Sequence, residues 1–286
     1  MTHPLTAAAE AAGKSEKNRT AIVLASFGST VPEARKVEAS FLEETRRRHP
    51  GVHAVLANTA RLVMRKNAGQ GVVIPSLFRA LADLVDAGYA RAAVQSLHLA
   101  PGDEFDGVAA VAKAQEGLPK GLRKVSLGAP LLASDEDCAQ TADVLAASLP
   151  EERNASEPVI FVRHEARSGP NGQGDGAYAA LQRRLARRDP KMFVGLLKDI
   201  PDRERILALL GVPDEPPSPV WLAPLLGLAG RHALTDLYGD GDHSWKRALE
   251  EAGWQVKESF RPLLAIPGAR DIWFAHLDAA LAELAR

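Results

Sequence analysis

Cysteine is nearly absent: Cys138 stands alone in the chain. A disulfide within the chain, a cysteine-rich zinc site and a four-cysteine iron–sulfur cluster are thereby excluded, and the composition suits a reducing cytoplasm. Long apolar runs are missing as well. The Val220–Leu228 run is interrupted by Pro224, far short of the roughly eighteen residues a membrane-spanning helix needs, so no membrane partner is expected. Neither sign of charge predominates, since 35 Lys and Arg face 36 Asp and Glu. Bulk attraction to nucleic acid is therefore not expected, and any anionic ligand has to be met by local charge. A phosphate-binding loop is lacking too. Gly13-Lys14-Ser15 matches only the end of one, Ala8 stands where its first glycine belongs, and no strand precedes it. Residues 1–18 are rich in Ala, Lys and Glu with no leader-like apolar segment, and read as a mobile tail.

What the chain does have is 46% apolar residues over 286 positions, enough for two lobes with cores of their own. Short apolar runs alternate with amphipathic stretches. Ala21–Ala25, Val52–Leu56, Ala92–Leu99 and Val125–Gly128 read as strands, with helices from Pro32, over Ser76–Ala87, from Asp106 and over Ser134–Leu149. After the polar stretch 151–157 the alternation restarts with strands at Val159–Val162, Phe193–Leu197, Val220–Pro224 and near Gln255–Phe260. The expected fold is therefore α/β, with two similar doubly wound lobes of parallel sheet and a pocket in the cleft between them. The boundaries are placed at 1–18 for the tail, 19–133 for the N-terminal lobe and 134–286 for the C-terminal lobe. Packing of the last helix on the N-terminal lobe is left open.

Ligands of such sheets sit beyond the carboxyl ends of the strands, so the loops there are where chemistry is expected. His164 directly follows one lobe-two strand, and His232 lies in what reads as the loop after Pro224. Imidazole binds borderline divalent metals and accepts protons near neutral pH, but eight histidines in one chain put some in loops by chance. It is the pair that carries meaning. His98 ends a lobe-one strand and faces either the same pocket or a backbone carbonyl. Gly172, Gly174 and Gly176, with Asp199, faintly match a dinucleotide fingerprint, but they begin too far past the strand to bring a helix terminus onto a pyrophosphate. Asp240-Gly241-Asp242 is an acidic turn without the later glutamate of a calcium loop. Arg61, Arg65 and Lys66 are cations that could meet ligand carboxylates, although a solvated helix face is the more general reading.

Several segments occur in a telling order: Ala25-Ser26-Phe27-Gly28-Ser29, Gln95-Ser96-Leu97-His98 followed by Gly102-Asp103-Glu104-Phe105, Gly128-Ala129-Pro130-Leu131-Leu132, Ala229-Gly230-Arg231-His232-Ala233 leading to Asp236, and Ser244-Trp245-Lys246. On these the chain resembles the class II anaerobic cobaltochelatases of the CbiK type from Thr20 to Leu284. The resemblance implies an ATP-independent enzyme that inserts Co2+, with Fe2+ or Ni2+ as alternatives, into sirohydrochlorin or a related tetrapyrrole, in cobalamin or siroheme biosynthesis. It implies no organic cofactor and leaves self-association open. His164 and His232 match the family's metal-site histidines. Its glutamate falls on Lys198, and the usual Gly-His-Gly is Arg163-His164-Glu165 here, so Glu165 or Asp199 is expected to supply the missing charge. Ser26, Phe27, Gly28, Ser29, Arg65, His98 and Leu99 are the expected substrate contacts, with Arg61, Arg163 and Arg231 as further partners for its carboxylates. Two other readings stand beside this one: a tetrapyrrole or metal carrier with a degenerate site, and an NAD(P)-dependent oxidoreductase built on the Gly172–Gly176 loop.

Overall fold

A computed structural model of the chain describes residues 19–164, 173–213 and 215–286, the side chains of Gln173, Arg231 and His232 excepted. The expected N-terminal tail and Glu165 lie outside the described residues. Two compact units are present: one runs to Pro130 and is completed by Trp273–Arg286, and the other is Leu131–Ile272.

The first unit alternates β1 (Thr20–Ser26), α1 (Pro32–Arg48), β2 (His53–Asn58), α2 (Arg61–Ala68), α3 (Leu77–Asp86), β3 (Arg91–Ser96), α4 (Asp103–Ala114) and β4 (Lys124–Gly128). Its four strands are parallel in the order β2-β1-β3-β4. Ala21–Ala25 of β1 is inaccessible to solvent at every residue, as expected of a central strand covered by helices on both faces. Helix starts follow local chemistry. Pro32 opens α1, where a missing amide hydrogen costs nothing, and the Ser76 hydroxyl accepts from the Arg79 amide to cap α3. Phe41 of α1 stacks on Phe274 at 4.7 Å between ring centroids and meets Trp273 edge-on, tying the C-terminal segment into this unit's core.

The second unit consists of α5 (Asp135–Ala147), β5 (Val159–Arg163), α6 (Gln173–Arg188), β6 (Met192–Leu196), α7 (Ile200–Leu210), β7 (Ser218–Pro224), α8 (Arg231–Tyr238), α9 (Trp245–Glu251) and β8 (Trp254–Glu258), with α10 (Pro267–Ala285) running on into the segment of the first unit. The strand order is β6-β5-β7-β8, again wholly parallel. In both sheets the order reverses between the first and third strands, so a crevice opens where the loops after β1 and β3, or after β5 and β7, leave the sheet. Among the described residues no helix is long and apolar enough to cross a membrane.

One element departs from the expected pattern: His232 lies in the first turn of α8 rather than in a loop. Arg61 and Arg65 lie exposed on a helix of their own, α2, which agrees with the solvated helix face expected there. Both helices have eight residues and neither has a side-chain cap at its start, so each lacks the length and the capping residue that announce a helix. Gly174 and Gly176 also fall within a helix, α6, and a Cβ added at Gly176 would meet nothing within 4 Å. That is not the tight strand-end turn of a dinucleotide site.

Trp245 fixes α9 against β6. Its ring is inaccessible, its indole N–H donates to the Leu196 carbonyl at 2.9 Å, and Gly195 leaves the room it occupies. A Cβ at Gly195 would stand 2.8 Å from the indole and 3.0 Å from Ile206. Gly195→Ala is expected to destabilise the second unit by about 1–3 kcal/mol through overpacking, read as an earlier unfolding transition by calorimetry, with the first unit's transition unmoved.

Candidate active site

The carboxyl edge of the second sheet gathers the principal candidates. β5 and β7 are adjacent and parallel, with Val162 paired to Pro224. His164 follows β5 directly, while the chain leaving β7 reaches Arg231 and His232 at the start of α8. Topology thus brings both histidines to the same end of neighbouring strands. His164 is exposed, and its carbonyl accepts from Arg163 at 3.1 Å. The Arg163 guanidinium is itself buried, pairs with Asp175 at 3.0 Å and lies 4.1 Å over the Tyr178 ring. Its charge serves α6, so it is not a free partner for a ligand carboxylate.

The same unit has a cavity of about 320 Å³ lined by Leu197, Lys198, Asp199, Ile200, Arg203, Asp236 and His243. Lys198 follows β6, and its ammonium stands 3.4 Å from Oδ2 of Asp236 on α8. That oxygen is buried and has no hydrogen bond among the described residues, so the contact is Coulombic rather than directional. Asp199, expected as a substitute carboxylate, caps α7 by accepting from the Asp202 amide at 2.9 Å. Arg203 donates to the carbonyls of His243 and Ser244. Among the described residues no three His, Cys, Asp or Glu side chains stand together as a metal site. His243 and Asp236 are the additions to the expected set. The sequence offered a signal for Asp236, since it lies four residues after His232 and so on the same face of a helix, but that spacing is informative only once α8 is known to be helical.

In the first unit the expected contacts occupy the corresponding edge. Gly28 has φ +88°, and a Cβ there would lie 2.7 Å from Asn58, so only glycine suits this turn. Ser26 and Ser29 are buried and turn their hydroxyls to the loop itself, accepting from the amides of Gly28 and Val31. Phe27 is exposed, Arg65 is exposed on α2, and Leu99 is half-buried. His98 is buried. Its Nδ1 meets Ser96 Oγ at 2.9 Å and its Nε2 meets Thr59 Oγ1 at 3.4 Å, with Glu104 at 3.8 Å. Burial lowers its pKa to about 4, which keeps the ring neutral and makes it a brace between loops.

Under the same loop lies Glu38 of α1, fully inaccessible, with Oε1 accepting from Asn58 Nδ2 at 3.4 Å and Oε2 unpartnered among the described residues. Burial raises its pKa from 4.5 to about 7, against the opposing effects of Ser26, Asn58 and Arg35. The folded chain therefore keeps a proton that the unfolded chain loses between these values, and native stability falls as pH rises across that window. His98 contributes the opposite slope below its ordinary pKa of 6.5. Glu38→Gln removes the first contribution only. Relative to the parent it is expected to gain on the order of 3 kcal/mol between about pH 5 and about pH 8, measured by denaturant unfolding; an equal difference at both pH values would contradict this.

Comparison with known proteins fits this arrangement. The profile of the cobalt chelatase (CbiK) family matches residues 20–282. Sirohydrochlorin cobaltochelatase CbiKC of Nitratidesulfovibrio vulgaris is 34% identical over 92% of this chain and 91% of its own. The sirohydrochlorin cobaltochelatase of Salmonella typhimurium is 30% identical over 79% of this chain and 82% of its own. Among solved structures, SirB of Bacillus subtilis with Fe3+ has a TM-score of 0.62 at 15% identity, covering 93% of this chain and 96% of that one. CbiX, the terminal enzyme of siroheme biosynthesis in denitrifying bacteria, has a TM-score of 0.52 at 17% identity, covering 91% and 99%. Both share the fold of two parallel-sheet units. Matched from residue 20 to residue 282, the chain belongs to the cobalt chelatase (CbiK) family.

Proposed function

We propose that this chain inserts a divalent metal, cobalt in the first instance, into sirohydrochlorin without ATP, using His164 and His232. The observation that carries the reading is the parallel pairing of β5 with β7, which delivers both histidines to one sheet edge. Metal insertion asks for two things on one face of the macrocycle. The dication must exchange water for ring nitrogens through temporary ligands, and two pyrrole N–H protons must leave. Neutral imidazole serves both demands near neutral pH. Glu165 is the further expected metal contact.

In the first unit, Phe27 offers an exposed apolar face, while Arg61 and Arg65 project charge from α2. These suit a ring with a flat apolar surface and a carboxylate periphery. The buried Ser26, Ser29 and His98 hold the loops that present those groups, as does Gly28 through its φ. Cys138 is buried, and its thiol is pushed up to about 11 by that burial, which makes it a poor nucleophile or metal ligand. Iron and nickel suit the same imidazoles. A reducing cytoplasmic setting, in cobalamin or siroheme synthesis, accords with this chemistry.

The test is the visible spectrum of sirohydrochlorin with cobalt and the purified chain. The parent is expected to accelerate insertion, and His164→Ala and His232→Ala each to lower kcat by roughly two orders of magnitude or more while sirohydrochlorin still binds. A parent chain that binds the tetrapyrrole but leaves insertion at its spontaneous rate would favour the carrier reading instead.

A further inference from the structure

The cavity lined by Lys198 and Asp236 holds an ion pair in an unusual state. Asp236 presents Oδ2 as a buried oxygen with no hydrogen bond among the described residues, and the cation facing it is the ammonium of Lys198 at 3.4 Å. A buried carboxylate oxygen is ordinarily satisfied by donors. Here one long, flexible side chain holds it, and that side chain is 61% exposed. Resting on the metal-insertion reading above, we propose that Asp236 is a metal-contacting carboxylate of this chain and that Lys198 is a positioning residue, holding the carboxylate until the incoming dication displaces the ammonium.

Three observations converge. Asp236 lies four residues after His232 on α8, so the two positions share a helix face one turn apart. The carboxylate is among the groups that line the 320 Å³ cavity. Lys198 comes from the loop after β6, the strand beside β5, which His164 directly follows. An ammonium is a compact, strongly hydrated charge on a four-carbon stem, so release from Asp236 returns it to water at little cost. A divalent first-row ion takes carboxylate together with imidazole and would bind this oxygen more strongly than a monovalent cation in a contact without hydrogen-bond geometry. Lys198 therefore acts as a competitor that balances the charge of Asp236 until a dication takes its place. No bond is made or broken in the exchange beyond coordination, and the displaced ammonium keeps its proton.

A double-mutant cycle on the full chain tests this, with cobalt affinity measured by calorimetry in the absence of tetrapyrrole. Asp236→Asn, nearly isosteric, is expected to weaken cobalt binding about tenfold or more. Lys198→Met is expected to tighten it severalfold when Asp236 is present and to change nothing in the Asp236→Asn background, because the ammonium acts through that carboxylate. Circular dichroism and thermal unfolding confirm that each variant folds. Unchanged affinity in Asp236→Asn, or an equal gain from Lys198→Met in both backgrounds, overturns the assignment. If the parent still accelerates insertion in that case, metal insertion by the two histidines stands without Asp236. If the parent binds cobalt with the predicted cycle yet never accelerates insertion, the assignment of Asp236 holds and the insertion reading falls.

Discussion

The parallel contact between β5 and β7 is the constraint on which the candidate site depends. Its register sets Val162 against Pro224, and every residue argued to act on the metal leaves the second sheet at that edge or on the helix that follows. Because both strands are buried, their register is strongly specified: a slip by one residue would turn every inward side chain outward. Site geometry is in this way tied to core packing, from Val159–Val162 on one side to Val220–Leu222 on the other, all nearly inaccessible.

The same topology appears in the first unit with different chemistry at its edge. There the strand ends carry Ser26, Asn58, Ser96 and His98, all buried; Ser26 and Ser96 bond within their own loops, Asn58 donates to Glu38, and His98 reaches Thr59 of the loop after β2. In the second unit the strand ends carry an exposed histidine, a lysine and a helix opening with Arg231 and His232. One edge is a braced polar cluster with a buried acid, Glu38, beneath it. The other is open and charged. Two similar sheets thus carry different chemistry at the same edge.

Much of this was legible in the sequence because parallel strands buried on both faces are written as apolar runs. Ala21–Ala25 and Val159–Val162 announced themselves in that way, and so did the capped or proline-led helices α1 and α3. What stayed hidden has a physical reason in each case. The helix α8 is short and lacks a side-chain cap, so His232 read as a loop residue, and its spacing to Asp236 counted as part of a motif but not as one helix face. His243 drew no notice because it lies in an acidic turn with no motif of its own, and only the fold brings that turn to Arg203 of α7. The consequence of Lys198 was legible only as an anomaly; that it faces Asp236 required coordinates.

The central claim is that two imidazoles, one directly after β5 and one in the first turn of α8 after β7, share one metal ion. X-ray absorption at the cobalt edge, on the cobalt-loaded chain and its His164→Ala and His232→Ala variants, addresses it without reference to turnover. The account predicts scattering from two imidazoles in the parent, reduced to one in each variant. A parent spectrum with no imidazole contribution, or one unaltered by loss of either histidine, would contradict it.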